Sequence, residues 1–191
     1  MTTGDDVESD SETAVILDVL QRGRPDDDRP AYEKSPIAYA LTESSFRLLE
    51  VTLSDDTRLN IGDRIAVDPP GEPVQRSRSI DFETLSSAAE SELEYAIEAI
   101  IDEDEARFVG FYNDAQPITT RLHVLNLLPG IGKKLRNDIL EERKRDPFDS
   151  FEEIESRISG LHRPKEVLVE RIIEEIKEDD LKYRIFAKRA E

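Results

Sequence analysis

The chain has 191 residues, 44 acidic and 26 basic, for a formal charge of -18. Cys and Trp are absent, which excludes disulfides, thiolate-held zinc, iron–sulfur centres and thiol catalysis. No apolar run approaches the roughly 18 residues of a membrane span, and the start lacks the basic and apolar regions of a secretory signal, so a cytoplasmic protein with no membrane contact is expected.

Residues 1–12 carry Asp5, Asp6, Glu8, Asp10 and Glu12 and no base, and read as a disordered acidic tail. Val15, Leu17 and Val19 alternate with Ile16, Asp18 and Leu20, which predicts a strand. The breaker-rich stretch Arg22 to Pro30 is a loop. Phe46 to Leu53 predicts a second strand with Leu49, Val51 and Leu53 on one face. Ser54-Asp55-Asp56 turns it, Arg58 to Val67 returns, and a short strand is expected over Arg76 to Phe82.

From Thr84 the period becomes helical. Leu93, Ala96, Ile97, Ile100 and Ile101 form one stripe, with Ser87 and Glu90 as a capping box. A second helix is expected over Glu103 to Asn113, a third from Thr119 to Leu128 and a fourth from Lys133 to Arg143. Ser150 to Glu153 opens another through Ile158, and Val169, Ile172, Ile173 and Ile176 stripe the last. Leu181 to Lys188 alternates like a strand returning to the sheet. The fold class is α+β, strands before residue 83 and helices after.

Leu128-Pro129-Gly130-Ile131-Gly132-Lys133-Lys134 falls between two expected helices. Two glycines around one aliphatic residue make a tight turn, and Ile131 is placed to plug the gap between the helices. The amides of Gly130, Ile131, Gly132 and Lys133 then lie at a helix N-terminus, where unpaired N–H groups and the dipole favour an anion. Lys133, Lys134 and Arg136 add charge beside it. The same turn would also serve as a plain corner between helices.

The segment resembles the helix–hairpin–helix motif, which binds nucleic-acid phosphates without sequence preference. It departs from the motif at Arg136, where a small residue is usual. Ser159-Gly160-Leu161-His162 stands as a degenerate second copy, with His162 in place of the second glycine. The order of the whole chain after the tail, with Gln116-Pro117-Ile118-Thr119, the hairpin and Pro147-Phe148-Asp149-Ser150-Phe151, is similar to the archaeal family called domain of unknown function 655. That resemblance implies an OB-like β-barrel over 13–83, connecting helices over 84–118, a paired helix–hairpin–helix unit over 119–180 and a strand or tail over 181–191. It also implies nucleic acid as partner, with a tilt toward RNA and toward ribosome- or polymerase-associated proteins.

Charge is uneven. Residues 119–145 hold seven basic and three acidic side chains, a local +4, whereas 92–105 holds seven acids and no base. Arg64, Arg76 and Arg78 are a weaker second candidate face. Eighteen of the basic residues are Arg and eight Lys, and the acidic, Lys-poor, Cys-free composition resembles proteins of halophilic archaea. His123 and His162 are isolated, and no nucleophile elbow, P-loop or dinucleotide fingerprint occurs. The expectation is a non-enzymatic nucleic-acid binder without cofactor or metal. The alternative is a protein-interaction adaptor using the helical unit and acidic surface.

Overall fold

The computed structural model describes residues 11–189. Among these, strands β1 (Glu12–Leu20), β2 (Ile37–Thr42), β3 (Leu48–Leu53), β4 (Arg64–Asp68) and β5 (Val74–Ser79) precede five α-helices. The helices are α1 (Ser87–Glu103), α2 (Glu105–Asp114), α3 (Lys133–Arg145), α4 (Phe151–Arg157) and α5 (Pro164–Lys177). The strands pair antiparallel in the order β4-β1-β2-β3-β5. The sheet curls into a half-barrel, so that its edge strands β4 and β5 approach each other.

Side chains alternate between the two faces of a strand, and in β1, β2 and β3 both faces are largely buried. Ala14, Ile16, Ala38, Ala40, Leu49, Val51 and Leu53 fill the inside of the curl with Ile65 and Val67. Val15, Leu17, Ile37, Tyr39, Leu41 and Leu48 face the helices. That second core continues through Ile97 of α1, Phe108 of α2, Ile139 of α3 and Ile172 of α5 to Ala187, across the change of period at residue 83. Fully burying a side chain such as Ile97 or Leu125 contributes about 1.5–3 kcal/mol.

Several expectations are corrected. β2 is a strand that the alternation did not announce, because Ala38 and Ala40 are small residues of low strand preference and all six positions are buried. Glu12 belongs to β1, and its carboxylate accepts the Ser44 amide at 3.0 Å; the expected acidic tail up to Asp10 lies outside the described residues. The cap of α1 is Ser86, whose hydroxyl accepts from the Ala89 amide at 3.2 Å. Residues 119–128 do not form an α-helix. Thr119 Oγ1 accepts from the Arg121 and Leu122 amides, and only Val124–Leu127 turns, as a 3-10 segment. Local side-chain bonds of this kind offer the backbone an alternative to helix.

The segment after Leu181 reaches the sheet, but not as a strand. Its Ile185, Phe186 and Ala187 amides donate to the buried Glu175 carboxylate at 2.6, 2.8 and 2.8 Å. A ladder needs those same donors. The Lys188 amide then bonds the Ser45 carbonyl at 2.9 Å.

Candidate functional site

Leu128 and Ile131 are buried at the ends of the turn that precedes α3. The Ile131 N–H donates to the Leu128 carbonyl at 3.3 Å, and Gly130 between them has φ +76°. Ile131 therefore anchors the turn through both side chain and amide, and its N–H is not free for a ligand. Gly132 caps α3 with extended backbone and no side-chain cap. The first intrahelical donor is Arg136, bonded to the Gly132 carbonyl at 3.0 Å. The amides of Lys133, Lys134 and Leu135 thus begin the helix without an acceptor in the preceding turn. A Cβ at Gly130 or at Gly132 would meet nothing within 4 Å, so open space lies against this backbone.

Asn126 holds the turn in place. Its Nδ2 donates to the Ile131 carbonyl at 3.2 Å, and its Oδ1 accepts from Arg136 NH1 at 3.0 Å. Arg136 is thus a brace between α3 and the turn, and Asn126 is a residue of the candidate site that sequence reasoning missed. Only an amide one turn ahead of the glycines pointed to it. His123 caps the 3-10 segment, with Nδ1 accepting the Leu125 amide at 3.1 Å. Burial first, then the charges of Arg143 and Arg136, hold its imidazole below the ordinary value. The neutral ring is the acceptor that the turn requires.

The first turn of α3 contains no acid, and Lys133 and Lys134 are exposed. Of the seven cations in 119–145, Arg145 is in an ion pair among the described residues, with Glu142 at 3.0 Å. Arg143 donates to the Tyr112 carbonyl at 3.1 Å and Arg136 to asparagines, contacts that leave both charges unneutralised.

The turn occurs twice. In Ile158-Ser159-Gly160-Leu161 the Leu161 N–H donates to the Ile158 carbonyl at 3.3 Å, Gly160 has φ +89°, and Ile158 and Leu161 are buried. The surroundings differ. A Cβ at Gly160 would meet Leu135 Cδ2 at 3.5 Å, so this turn rests against α3. It enters α5 through Arg163, at φ +52°, and Pro164.

Similarity to known proteins agrees with this architecture. The family described as "Protein of unknown function (DUF655)" matches residues 10–188. The chain belongs to the DUF655 family. Uncharacterized protein MJ0038 of Methanocaldococcus jannaschii is 36% identical over 178 residues, which cover 92% of this chain and 79% of the relative. The crystal structure of Af1531 from Archaeoglobus fulgidus, also DUF655, has a TM-score of 0.85 at 43% identity and covers 93% of this chain and 99% of that one.

The second candidate face is divided in this DUF655 chain: Arg76 and Arg78 share β5, and Arg64 lies on β4. Arg64 lies on β4, paired with Glu43 at 2.5 Å and Glu103 at 2.7 Å. Arg78 lies on β5 at the other edge, and it shares the buried Glu50 carboxylate with Arg24. Burial alone would raise the Glu50 carboxyl, and the hydrogen bonds from Arg24 and then Arg78 hold it below its ordinary value instead. Arg76, also on β5, is exposed and in no ion pair among the described residues. No group of three or more Asp, Glu or His suited to a metal ion occurs among the described residues. No helix there is long and apolar enough to cross a membrane.

Proposed function

We propose that this chain is a non-catalytic nucleic-acid-binding protein that grips the phosphate backbone without sequence preference at the Gly130–Gly132 turn. The half-barrel is read as OB-like and the two turns as a helix–hairpin–helix pair. The carrying observation is the open, uncapped start of α3, with two lysines that are in no ion pair among the described residues, in a first turn that holds no acid. Positive charge there opposes the helix dipole, so it serves the fold poorly and an anion well. The donors are the amides of Gly132, Lys133 and Lys134, with Lys133 and Lys134 side chains supporting and Arg136 bracing. The acidic composition is read as adaptation to high salt, and the ligand as RNA in a ribosome- or transcription-associated setting.

Gly132 offers a clean test. Its φ is -87° and a Cβ meets nothing within 4 Å, so Gly132→Ala leaves the fold intact while intruding on an approaching phosphate. Gly132→Ala and Lys133→Glu/Lys134→Glu are each expected to weaken binding to a short duplex or an RNA hairpin by about tenfold or more, read by fluorescence anisotropy in native salt. Unchanged affinity with an unchanged melting curve sinks the proposal.

The adaptor reading draws on α1, whose outer face shows Glu94, Asp102 and a Tyr95 that is 67% exposed. A pull-down that keeps its protein partners after nuclease treatment would favour it.

A further inference from the structure

A groove of about 610 Å³ opens between α2 and the segment after Leu181. Its walls carry Arg107, Arg184, Lys188 and Arg189, the Phe111 and Phe186 rings and, among the described residues, no carboxylate. In a chain with 44 acidic residues, such a lining is opposite in sign to the whole.

None of these four cations is in an ion pair among the described residues. Arg107 donates to the Glu43 and Ser44 carbonyls at 3.0 and 2.9 Å, and it stacks over Phe108. Arg184 donates to the Glu175 and Glu178 carbonyls at 2.6 and 2.7 Å, while its buried Nε–H has no acceptor among the described residues. Lys188 and Arg189 are exposed and in no ion pair there. Between them the Phe111 and Phe186 rings lie 5.1 Å apart and half-buried, so part of each remains uncovered. The volume falls in the roughly 300–1,000 Å³ range of clefts that take organic ligands.

We infer that this groove binds an unpaired nucleic-acid strand, stacking a base on Phe186 and Phe111 while Lys188 and Arg189 hold flanking phosphates and Arg107 and Arg184 add positive charge. An acidic peptide would satisfy the charge but not the rings. A base offers a π-face, and stacking on aromatic side chains beside a basic groove is how single strands are held without sequence preference. The inference rests on the reading that the ligand is nucleic acid. It adds a second contact, specific for unpaired residues, and does not depend on the Gly130–Gly132 turn.

The test uses the full chain and three probes: an oligouridine of about a dozen residues, the same length of abasic strand, and a short duplex. Lys188→Glu/Arg189→Glu is expected to weaken oligouridine binding about tenfold or more while leaving duplex binding within about twofold. Phe186→Leu keeps apolar bulk, and it should abolish the preference for oligouridine over the abasic strand and the quenching of a 2-aminopurine placed in it. Gly132→Ala should show the reverse pattern, losing duplex and keeping oligouridine. Unchanged oligouridine affinity in Lys188→Glu/Arg189→Glu overturns the inference. So does an oligoglutamate that competes as well as oligouridine, which would assign the groove to an acidic protein partner. If Gly132→Ala alone has no effect, the turn reading fails and the groove stands.

Discussion

The turns around Gly130 and Gly160 have the same backbone and different surroundings. Each has a glycine at positive φ, flanked by buried aliphatic residues, with one amide bond of 3.3 Å closing it. Gly130 faces open space, while Gly160 faces Leu135. Gly132 starts α3 bare, whereas α5 starts from Arg163 in a left-handed conformation that suits glycine better. One sequence pattern thus carries two separable properties. The buried pair and the closing bond build the corner between helices, and only the first turn leaves vacant space at the helix start, where the proposed phosphate would sit.

The largest expected effect breaks this likeness on the side of the first turn. Arg171 and Glu175 are both buried and pair at 2.9 Å, and Arg171 also reaches the Leu127 carbonyl at 3.2 Å and the Tyr183 carbonyl at 2.7 Å. Glu175→Ala leaves the buried Arg171 with the more exposed Glu174 as its one carboxylate partner among the described residues and orphans three amides, and should cost about 3–5 kcal/mol in denaturant unfolding. Its structural damage should centre on Leu127 and residues 181–188 and spare Gly160, as read by hydrogen exchange.

A smaller and symmetric effect tests the shared part. Ile131→Ala and Leu161→Ala each remove a buried side chain and should destabilise by about 2–5 kcal/mol. A large loss at one position and none at the other would mean that the two turns do not do the same structural work.

The smallest effect concerns pH. His123 has a folded pKa below its ordinary value of 6.5, so above that value the ring is neutral both folded and unfolded. As pH falls through 6.5 the unfolded ring takes a proton that the folded ring resists. Stability therefore falls on acidification until the folded pKa is passed. His123→Asn keeps an acceptor without that titration, and should flatten this part of a stability profile measured from pH 8 to pH 5.

The aliphatic stripes of α1 and α5, the Leu49, Val51 and Leu53 face and the glycine turns were legible in the chain, because each is a local pattern imposed by one buried face. β2 was not, because a strand buried on both sides loses its alternation. The segment before Leu128 resembled helix because Leu122, Leu125 and Leu128 fall at helical spacing. Thr119 and His123 override that spacing through bonds to nearby amides. At the site, the glycines and lysines could be named in advance, but Asn126 could not, since its role depends on Arg136 ten positions away in the chain. The groove was illegible for a stronger reason: the α2 rings Phe108 and Phe111 meet Phe186 there, and Glu175 of α5 holds the segment that carries Phe186, contacts no local pattern announces.

Glu12 and Lys188 both bond to the turn at Ser44 and Ser45, one through its carboxylate and the other through its amide. The first strand and the last described segment therefore end at one address on the surface. The Lys188–Ser45 bond closes a ring over most of the described chain, and the Glu12–Ser44 bond adds the first strand to it. A pair of fluorophores at these two positions would act as a single-distance gauge of whether the molecule is whole. A circularly permuted version, joined there and cut in the loop near Asp27, should refold to the same architecture.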